Sequence, residues 1–211
     1  MSTDSITATA SREAGENVGT YEMTAAAEGT IPSYYNVNYV PGTFTITPAT
    51  IIVKANDKTK TYGDADPEFD ATVTGLVNGD TISYAFTREP GENVGTYVIT
   101  PSGETTQGNY TITYQTGTLT ITKKTVTITA DDKTKVYGEN DPALTATVTG
   151  AVEGDTINYT LARAEGEDVG DYTITVTPGD NPNYEVSVVP GTFTITPKAV
   201  TVTITGANDT K

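Results

Sequence analysis

Most of this chain is one passage written more than once, and self-similarity at a fixed spacing means a repeated structural unit. "KTKTYGDADP" (58–67) returns as "KTKVYGENDP" (133–142), and "ATVTGLVNGDTISY" (71–84) returns as "ATVTGAVEGDTINY" (146–159). "GENVGTY" stands at 15–21 and 91–97, and as "GEDVGDY" at 166–172. "PGTFTITP" stands at 41–48 and 190–197, with "TGTLTITK" at 116–123. The period is 74–76 residues. Two complete repeats are expected, 50–124 and 125–198. They are flanked by the closing part of a truncated repeat, 1–49, and by the opening strand of a further one, 199–211. The segment reads as cut from a longer array, and residues 1–19 lack the charged-then-apolar pattern of a secretory signal.

Within a repeat the hydrophobic period is two, the strand period. "TVTITA" (125–130) places Val126 and Ile128 on one face and threonines on the other. "LTATVTG" (144–150), "DTINYTLAR" (155–163) and "GDYTITVTP" (170–178) follow, the last with Tyr172, Ile174 and Val176 on one face. "NYEVSVV" (183–189) and "GTFTITP" (191–197) are expected to form a hairpin through Pro190-Gly191, a turn-forming pair. No segment carries a helical period beyond one turn at "GLVNGD" or "GAVEGD". The fold class is therefore all-β. One-sided alternation predicts antiparallel sheets with a single buried face, packed as small immunoglobulin-like sandwiches; β-grasp-like units are the alternative. The joins "TFTITPATIIV", "TLTITKKTVTIT" and "TFTITPKAVTVT" carry no Gly/Ser linker, so a string of units is expected to be an elongated, stiff rod.

Composition narrows the chemistry. Leu, Ile, Val and Phe make up 41 of 211 residues, a low share that with high net charge points toward disorder. Forty-five threonines and 13 tyrosines offset this, because Thr and Tyr suit a pleated, half-buried surface. Cysteine and histidine are absent, which removes thiol and imidazole nucleophiles, bases and metal ligands. Twelve basic against 27 acidic residues give a net charge of -15. Nucleic acid is not expected as a partner, since binding it rests on phosphate neutralisation by Lys and Arg. Membrane insertion is not expected either, for want of an apolar run of ~18 residues.

The boxes "KTYGDADP" and "KVYGENDP", the "GENVGTY" turn and the closing "GTFTITP" strand resemble the MBG domain of the YGX type, over nearly the whole chain. That family occurs as tandem copies in large bacterial surface proteins and adhesins. The resemblance implies an extracellular, secreted setting at the bacterial cell surface and a role in a stalk or in cell adhesion. It implies no catalytic residues.

The acids of the Tyr-Gly box are the candidate metal ligands: Asp64, Asp66 and Glu68, and in the second copy Glu139 and Asp141. Clustered carboxylates with backbone carbonyls suit Ca²⁺, and the same Gly-Asp-x-Asp-Pro pattern is turn chemistry; no other cofactor is expected. Paired acids of a glycosidase would be Glu92 with Asp80, or Glu167 with Asp155, beside Gly-rich turns that equally suit solvated loops. Lys54 on an opening strand is a possible cross-linking donor, matched by Thr129 in the next repeat. The repeated tyrosines Tyr62 and Tyr137, Tyr97 and Tyr172, Tyr110 and Tyr184 are expected in cores or at repeat junctions.

These readings converge on a non-enzymatic chain. The first expectation is a structural spacer of a surface adhesin that presents a distal binding domain, with neighbouring repeats of the same polypeptide as its partners. The alternative is a module that itself binds host glycan or mucin. Incomplete terminal repeats also allow head-to-tail self-association by strand addition.

Overall fold

A computed structural model describes residues 6–77 and 79–206. Every regular element among them is a strand. In the amino-terminal segment these are β1 (Ala8–Arg12), β2 (Gly19–Ala27) and β3 (Gly42–Ile46). The first repeat contributes β4 (Ala49–Ala55), β5 (Lys58–Thr61), β6 (Ala71–Thr74), β7 (Ala85–Arg88), β8 (Gly95–Ser102), β9 (Thr106–Gln107), β10 (Tyr110–Gln115) and β11 (Gly117–Thr122). The second contributes β12 (Lys124–Ala130), β13 (Lys133–Val136), β14 (Ala146–Thr149), β15 (Tyr159–Arg163), β16 (Gly170–Pro178), β17 (Tyr184–Val189) and β18 (Gly191–Thr196). The sheets run β1-β2-β3, β6-β4-β10-β9, β5-β11-β8-β7, β14-β12-β17 and β13-β18-β16-β15.

The chain divides into two compact units. One holds Met1–Lys58, Glu68–Glu89 and Tyr97–Leu119, as far as these are described; the other holds Thr59–Pro67, Pro90–Thr96 and Thr120–Lys211. The division does not follow the sequence repeats. The Tyr-Gly box of the first repeat, its Gly-Glu-Asn turn and the end of β11 belong to the same compact unit as the whole second repeat.

The second repeat shows the architecture in full. Its two sheets enclose one core, to which β12 gives Val126, Ile128 and Ala130, β16 gives Ile174 and Val176, and β18 gives Phe193 and Ile195. Alternate residues point inward, as the period of two requires, and burying each large apolar side chain contributes about 1.5–3 kcal/mol. In the other unit Ile51 and Val53 of β4 pack with Tyr110 and Ile112 of β10 in the same way. The strand expected at 125–130 is β12, and that at 170–178 is β16.

Two expectations give way. The sheets are not wholly antiparallel: β12 pairs parallel with β17, from Lys124↔Tyr184 to Thr129↔Val189, and β13 pairs parallel with β18. Nor do residues 183–189 and 191–197 form a hairpin, since β17 and β18 lie in different sheets. Only Pro190 separates them. The chain stays extended there and passes from one sheet to the other. Proline suits the crossing because it has no N–H to leave unpaired. Gly191 suits it because a Cβ there would stand 2.7 Å from the carbonyl oxygen of Ala130. The "KTK" runs form the short strands β5 and β13. No helix forms at "GLVNGD" or "GAVEGD" among the described residues.

One residue, Lys123, lies between β11 and β12, and two, Thr47 and Pro48, lie between β3 and β4. Residues 199–206 are exposed and in no strand. Residues 207–211, the rest of the proposed further opening strand, lie outside the described residues, as do 1–5 of the truncated repeat.

Candidate functional site at the repeat joint

The Tyr-Gly box grows out of a strand. β13 runs beside β18 with Lys133 opposite Phe193 and Val136 opposite Thr196. The ladder continues one step, because Tyr137 N–H donates to the Thr196 carbonyl at 2.8 Å; Tyr62 N–H donates to Thr122 at 2.9 Å in the first copy. A four-residue turn follows, closed by Asp64 N–H on the Thr61 carbonyl and by Glu139 N–H on the Val136 carbonyl, both at 3.0 Å. Gly63 takes φ 83° at the third turn position, where a type II turn demands positive φ.

Beneath each box sits a buried lysine. The Lys135 side chain is 3% exposed. Its Nζ donates to Asp141 Oδ1 at 2.7 Å and to Glu167 Oε2 at 2.5 Å. Arg163 donates from Nε to Asp141 Oδ2 at 2.5 Å and also pairs with Glu167. The guanidinium lies 4.8 Å from the centre of the Phe193 ring and 5.5 Å from that of Tyr172. Lys60 repeats the arrangement with Asp66 at 2.7 Å and Glu92 at 2.5 Å. A buried ammonium is tolerable only when paired in this way.

The titration directions follow from the geometry. Hydrogen bonds from Arg163 and then Lys135 hold Asp141 down at about 2. The same two cations, Lys135 first, lower Glu167. Bonds to Asp141 and Glu167 raise Lys135. Burial works to lower Lys60, but its bonds to Asp66 and Glu92 outweigh this and raise it. Each cluster ties the Tyr-Gly box to the Gly-Glu turn of its own repeat.

These contacts place the candidate calcium ligands. Asp66 and Asp141 are turned onto lysine. Asp64 lies 3.8 Å from Lys124, Glu139 accepts a bond from Val136 N–H at 3.4 Å, and Glu68 is exposed. No group of three acids positioned to hold a metal occurs among the described residues. The candidate catalytic acids fall into different clusters: Glu92 and Glu167 hold lysine, whereas Asp80 and Asp155 accept bonds from tyrosines. Lys54 lies on the exposed face of β4.

The two loops carried by the Lys60 cluster meet the second repeat within one compact unit. Tyr62 O–H donates to Asp155 Oδ2 at 2.9 Å, and Tyr184 O–H donates to the same oxygen at 2.5 Å. The two rings meet edge to face, 5.4 Å between centres, a favoured aromatic geometry. Tyr184 Oη in turn accepts from Val152 N–H at 3.0 Å. Val152 packs so close to Gly63 that a Cβ there would come within 2.4 Å of its Cγ2. The Gly-Glu-Asn turn makes the second contact: Val94 N–H donates to Asn183 Oδ1 at 2.9 Å, and Asn183 Nδ2 donates to Asn93 Oδ1 at 3.0 Å. The hydrogen bond to Asp155 and then burial raise Tyr62 above its usual value; burial and then Asp155 raise Tyr184. Both phenols therefore stay protonated donors well above neutrality.

The other unit carries the same device in part. Val18 N–H donates to Asn109 Oδ1 at 2.8 Å, and Asn109 Nδ2 to Asn17 Oδ1 at 3.1 Å. Tyr110 O–H donates to Asp80 Oδ2 at 2.6 Å, which raises the phenol. Asn17 and Asn93, Asn109 and Asn183, and Asp80 and Asp155 sit at matching repeat positions, so these contacts recur with the repeat.

The family model of the MBG domain (YGX type) matches residues 51–120 and again 126–194. The chain belongs to that family. Its Tyr62-Gly63 and Tyr137-Gly138 pairs stand within the two MBG matches. Among solved structures, the chain is similar to the three N-terminal domains of the highly immunogenic outer capsid protein (Hoc) of bacteriophage RB49. The identity is 12%, 92% of this chain and 99% of that one are covered, and the TM-score is 0.25. Among curated proteins there is no match. MBG repeats are typical of extracellular proteins and of adhesin-like repeat regions. No helix among the described residues is long and apolar enough to cross a membrane.

Three residues escaped the sequence reading. Lysine is almost never fully buried, so Lys60 and Lys135 were not expected inside; the signal available was that "KTK" recurs unchanged in both MBG repeats. Asn183 recurs as Asn109, each before a repeated tyrosine, but its role exists only once the preceding turn is beside it.

Proposed function

We propose that this chain is a spacer segment of a bacterial surface adhesin, non-catalytic, whose repeats are locked end to end so that a distal binding domain stands clear of the cell. The observation that carries this reading is the joint: the first repeat's Tyr62, Gly63, Asn93 and Val94 sit on the second repeat's Asp155, Tyr184, Val152 and Asn183 inside one compact unit. Hydrogen bonds at two separate loops resist both bending and twisting, whereas a flexible linker resists neither. The single residue between β11 and β12 adds the same restraint. Small-angle scattering of the chain tests the reading. An elongated, rigid particle whose maximum dimension holds from low to high salt is expected. A compact globule, or a flexible ensemble that Tyr62→Ala leaves unchanged because the joint was already open, refutes it.

A second reading has one observation in its favour. Tyr34, Tyr35 and Tyr39 are exposed on the loop between β2 and β3, Tyr34 at 71%, with the first two rings 4.9 Å apart. Exposed aromatic faces suit stacking on sugar rings, so host glycan or mucin is the ligand class this reading names. Saturable binding in a glycan screen, lost on Tyr34→Ala with Tyr35→Ala, would establish it.

A further inference from the structure

The second repeat opens and closes on two passages that lie side by side. β12 runs parallel to β17, from Lys124↔Tyr184 to Thr129↔Val189. β13 runs parallel to β18, from Lys133↔Phe193 to Val136↔Thr196. Partners are 60 residues apart in both ladders. The register is therefore unbroken, although both passages leave one sheet and enter the other between the two ladders. At that crossing Thr192 N–H donates to Asp132 Oδ1 at 2.7 Å, and Gly191 packs against the Ala130 carbonyl. The ends are bonded too. Lys124 N–H donates to the Asn183 carbonyl at 3.1 Å, and Tyr137 N–H to the Thr196 carbonyl at 2.8 Å. Residues 124–137 and 183–196 are thus joined along their whole length.

Direction matters when such a pair is pulled. The first passage follows β11 after Lys123, and the second leads out through Pro197. Because the two passages are parallel, these two attachments lie at opposite ends of the pair. Tension along the backbone then slides one passage against the other, and the bonds between them share the load and fail together. Two strands pulled from the same end separate one bond at a time. Parallel pairing is slightly less stable per residue than antiparallel pairing, so the resistance comes from how the bonds are loaded and not from their individual strength. Forced unfolding is governed by the unfolding rate and not by equilibrium stability, so a small repeat can resist it. The surrounding strands hold the pair in place: β14 flanks β12, β16 flanks β18, and Lys135 of β13 is tied to Glu167 ahead of β16. In the other unit β4 and β10 pair parallel in the same way, from Ala49↔Tyr110 to Lys54↔Gln115. There Thr118 N–H donates to Asp57 Oδ1 at 2.8 Å, as Thr192 does to Asp132.

We propose that the second repeat is a tension-bearing unit, in which residues 124–137 and 183–196 form one shear clamp that is continuous through the sheet crossing. Its use in a stalk rests on the spacer reading above; the clamp itself rests on the registers. Asp132 is a positioning residue of the clamp, since its carboxylate carries the bonding across the gap between the two ladders.

Single-molecule force spectroscopy on the whole chain tests this. Cysteine is absent, so each introduced pair of cysteines gives two unique handles. Lys123→Cys with Lys198→Cys loads the passages from opposite ends. Glu139→Cys with Lys198→Cys loads them from the same end. All three positions are exposed, and both variants are expected to melt, without load, at the temperature of the unaltered chain. The first pair is expected to hold roughly twice the force of the second or more, because its evenly spaced bonds break together and not in turn. Asp132→Ala is expected to lower the force for the first pair and to leave the second unchanged, since peeling is limited by the bonds met first, at Tyr137 and Val136. Equal forces for the two pairs overturn the proposal, because the core and not the clamp would then resist the load. An equal loss for both pairs on Asp132→Ala also overturns it, because the crossing would then act through general stability. A flexible particle in small-angle scattering, with the two forces still unequal, refutes the spacer reading and supports the clamp.

Discussion

The amino-terminal segment and the second repeat spell nearly the same closing passage, yet bury it differently. Phe193 and Ile195 are sealed, whereas Phe44 is 40% exposed and Ile46 is half-buried. The pairing of β2 with β3 matches that of β16 with β18, Tyr21 opposite Phe44 as Tyr172 is opposite Phe193. Local structure is therefore alike in both places. What differs is the neighbour: β13, with its lysine, completes the second sheet and covers the ring. Burial in these repeats belongs to the assembly of strands and not to the strand.

Several measurements break or sharpen that comparison. The largest effect is expected from Phe193→Ala, which removes a fully buried ring and costs about 3–5 kcal/mol. The same change at Phe44 costs about 1 kcal/mol, because much of that ring is already in water. Urea unfolding of both variants gives the two values; equal losses would abolish the distinction. Next comes Lys135→Met, which leaves Asp141 and Glu167 with Arg163 alone. It lowers the unfolding midpoint by less than Phe193→Ala, while Glu16→Gln, at the position Glu167 holds in the second repeat and with no lysine to pair, leaves the midpoint where it was.

Acid titration reports the same cluster more gently. Asp141 lies at about 2 and Glu167 is also lowered. Their contribution is present above the ordinary carboxylate range near ~4 and is lost as pH falls through the folded values. Lys60 and Lys135 are raised. Theirs is present below the ordinary lysine value near ~10.4 and is lost as pH rises through the folded values. Melting temperature against pH is expected to fall at both ends, and Lys135→Met is expected to flatten both limbs.

The smallest effect belongs to the joint. Tyr62→Phe keeps the ring against Tyr184 and removes only the bond to Asp155. A slight loss of stability is expected, non-additive with Asp155→Asn in a double-mutant cycle. Tyr137→Phe, on the exposed copy, should change nothing measurable; an equal loss there would detach the effect from the joint.

Strand identity was legible because period-two alternation marks one face for burial, and Val126, Ile128, Ile174 and Val176 are all inside. Strand partners were not, since alternation says which face is buried and not what lies alongside. That is why β17 and β18, adjacent in sequence and separated by a turn-like Pro-Gly, were expected to form a hairpin and instead lie in separate sheets. The acids of the Tyr-Gly box were legible as a cluster. Their chemistry was not, because the lysine that claims Asp66 and Asp141 comes from a strand too short and too polar to be recognised.

The repeat itself, its period, its all-strand character and its membership of the MBG family follow from the residues alone, because each rests on local pattern recurring along the chain. The tertiary structure decided the parallel pairings, the burial of Lys60 and Lys135, and the meeting of Tyr62 with Asp155. Each of these is a contact between residues far apart in sequence, and a hydrogen bond or an ion pair acquires its strength only once the fold has brought both partners together and removed the water between them.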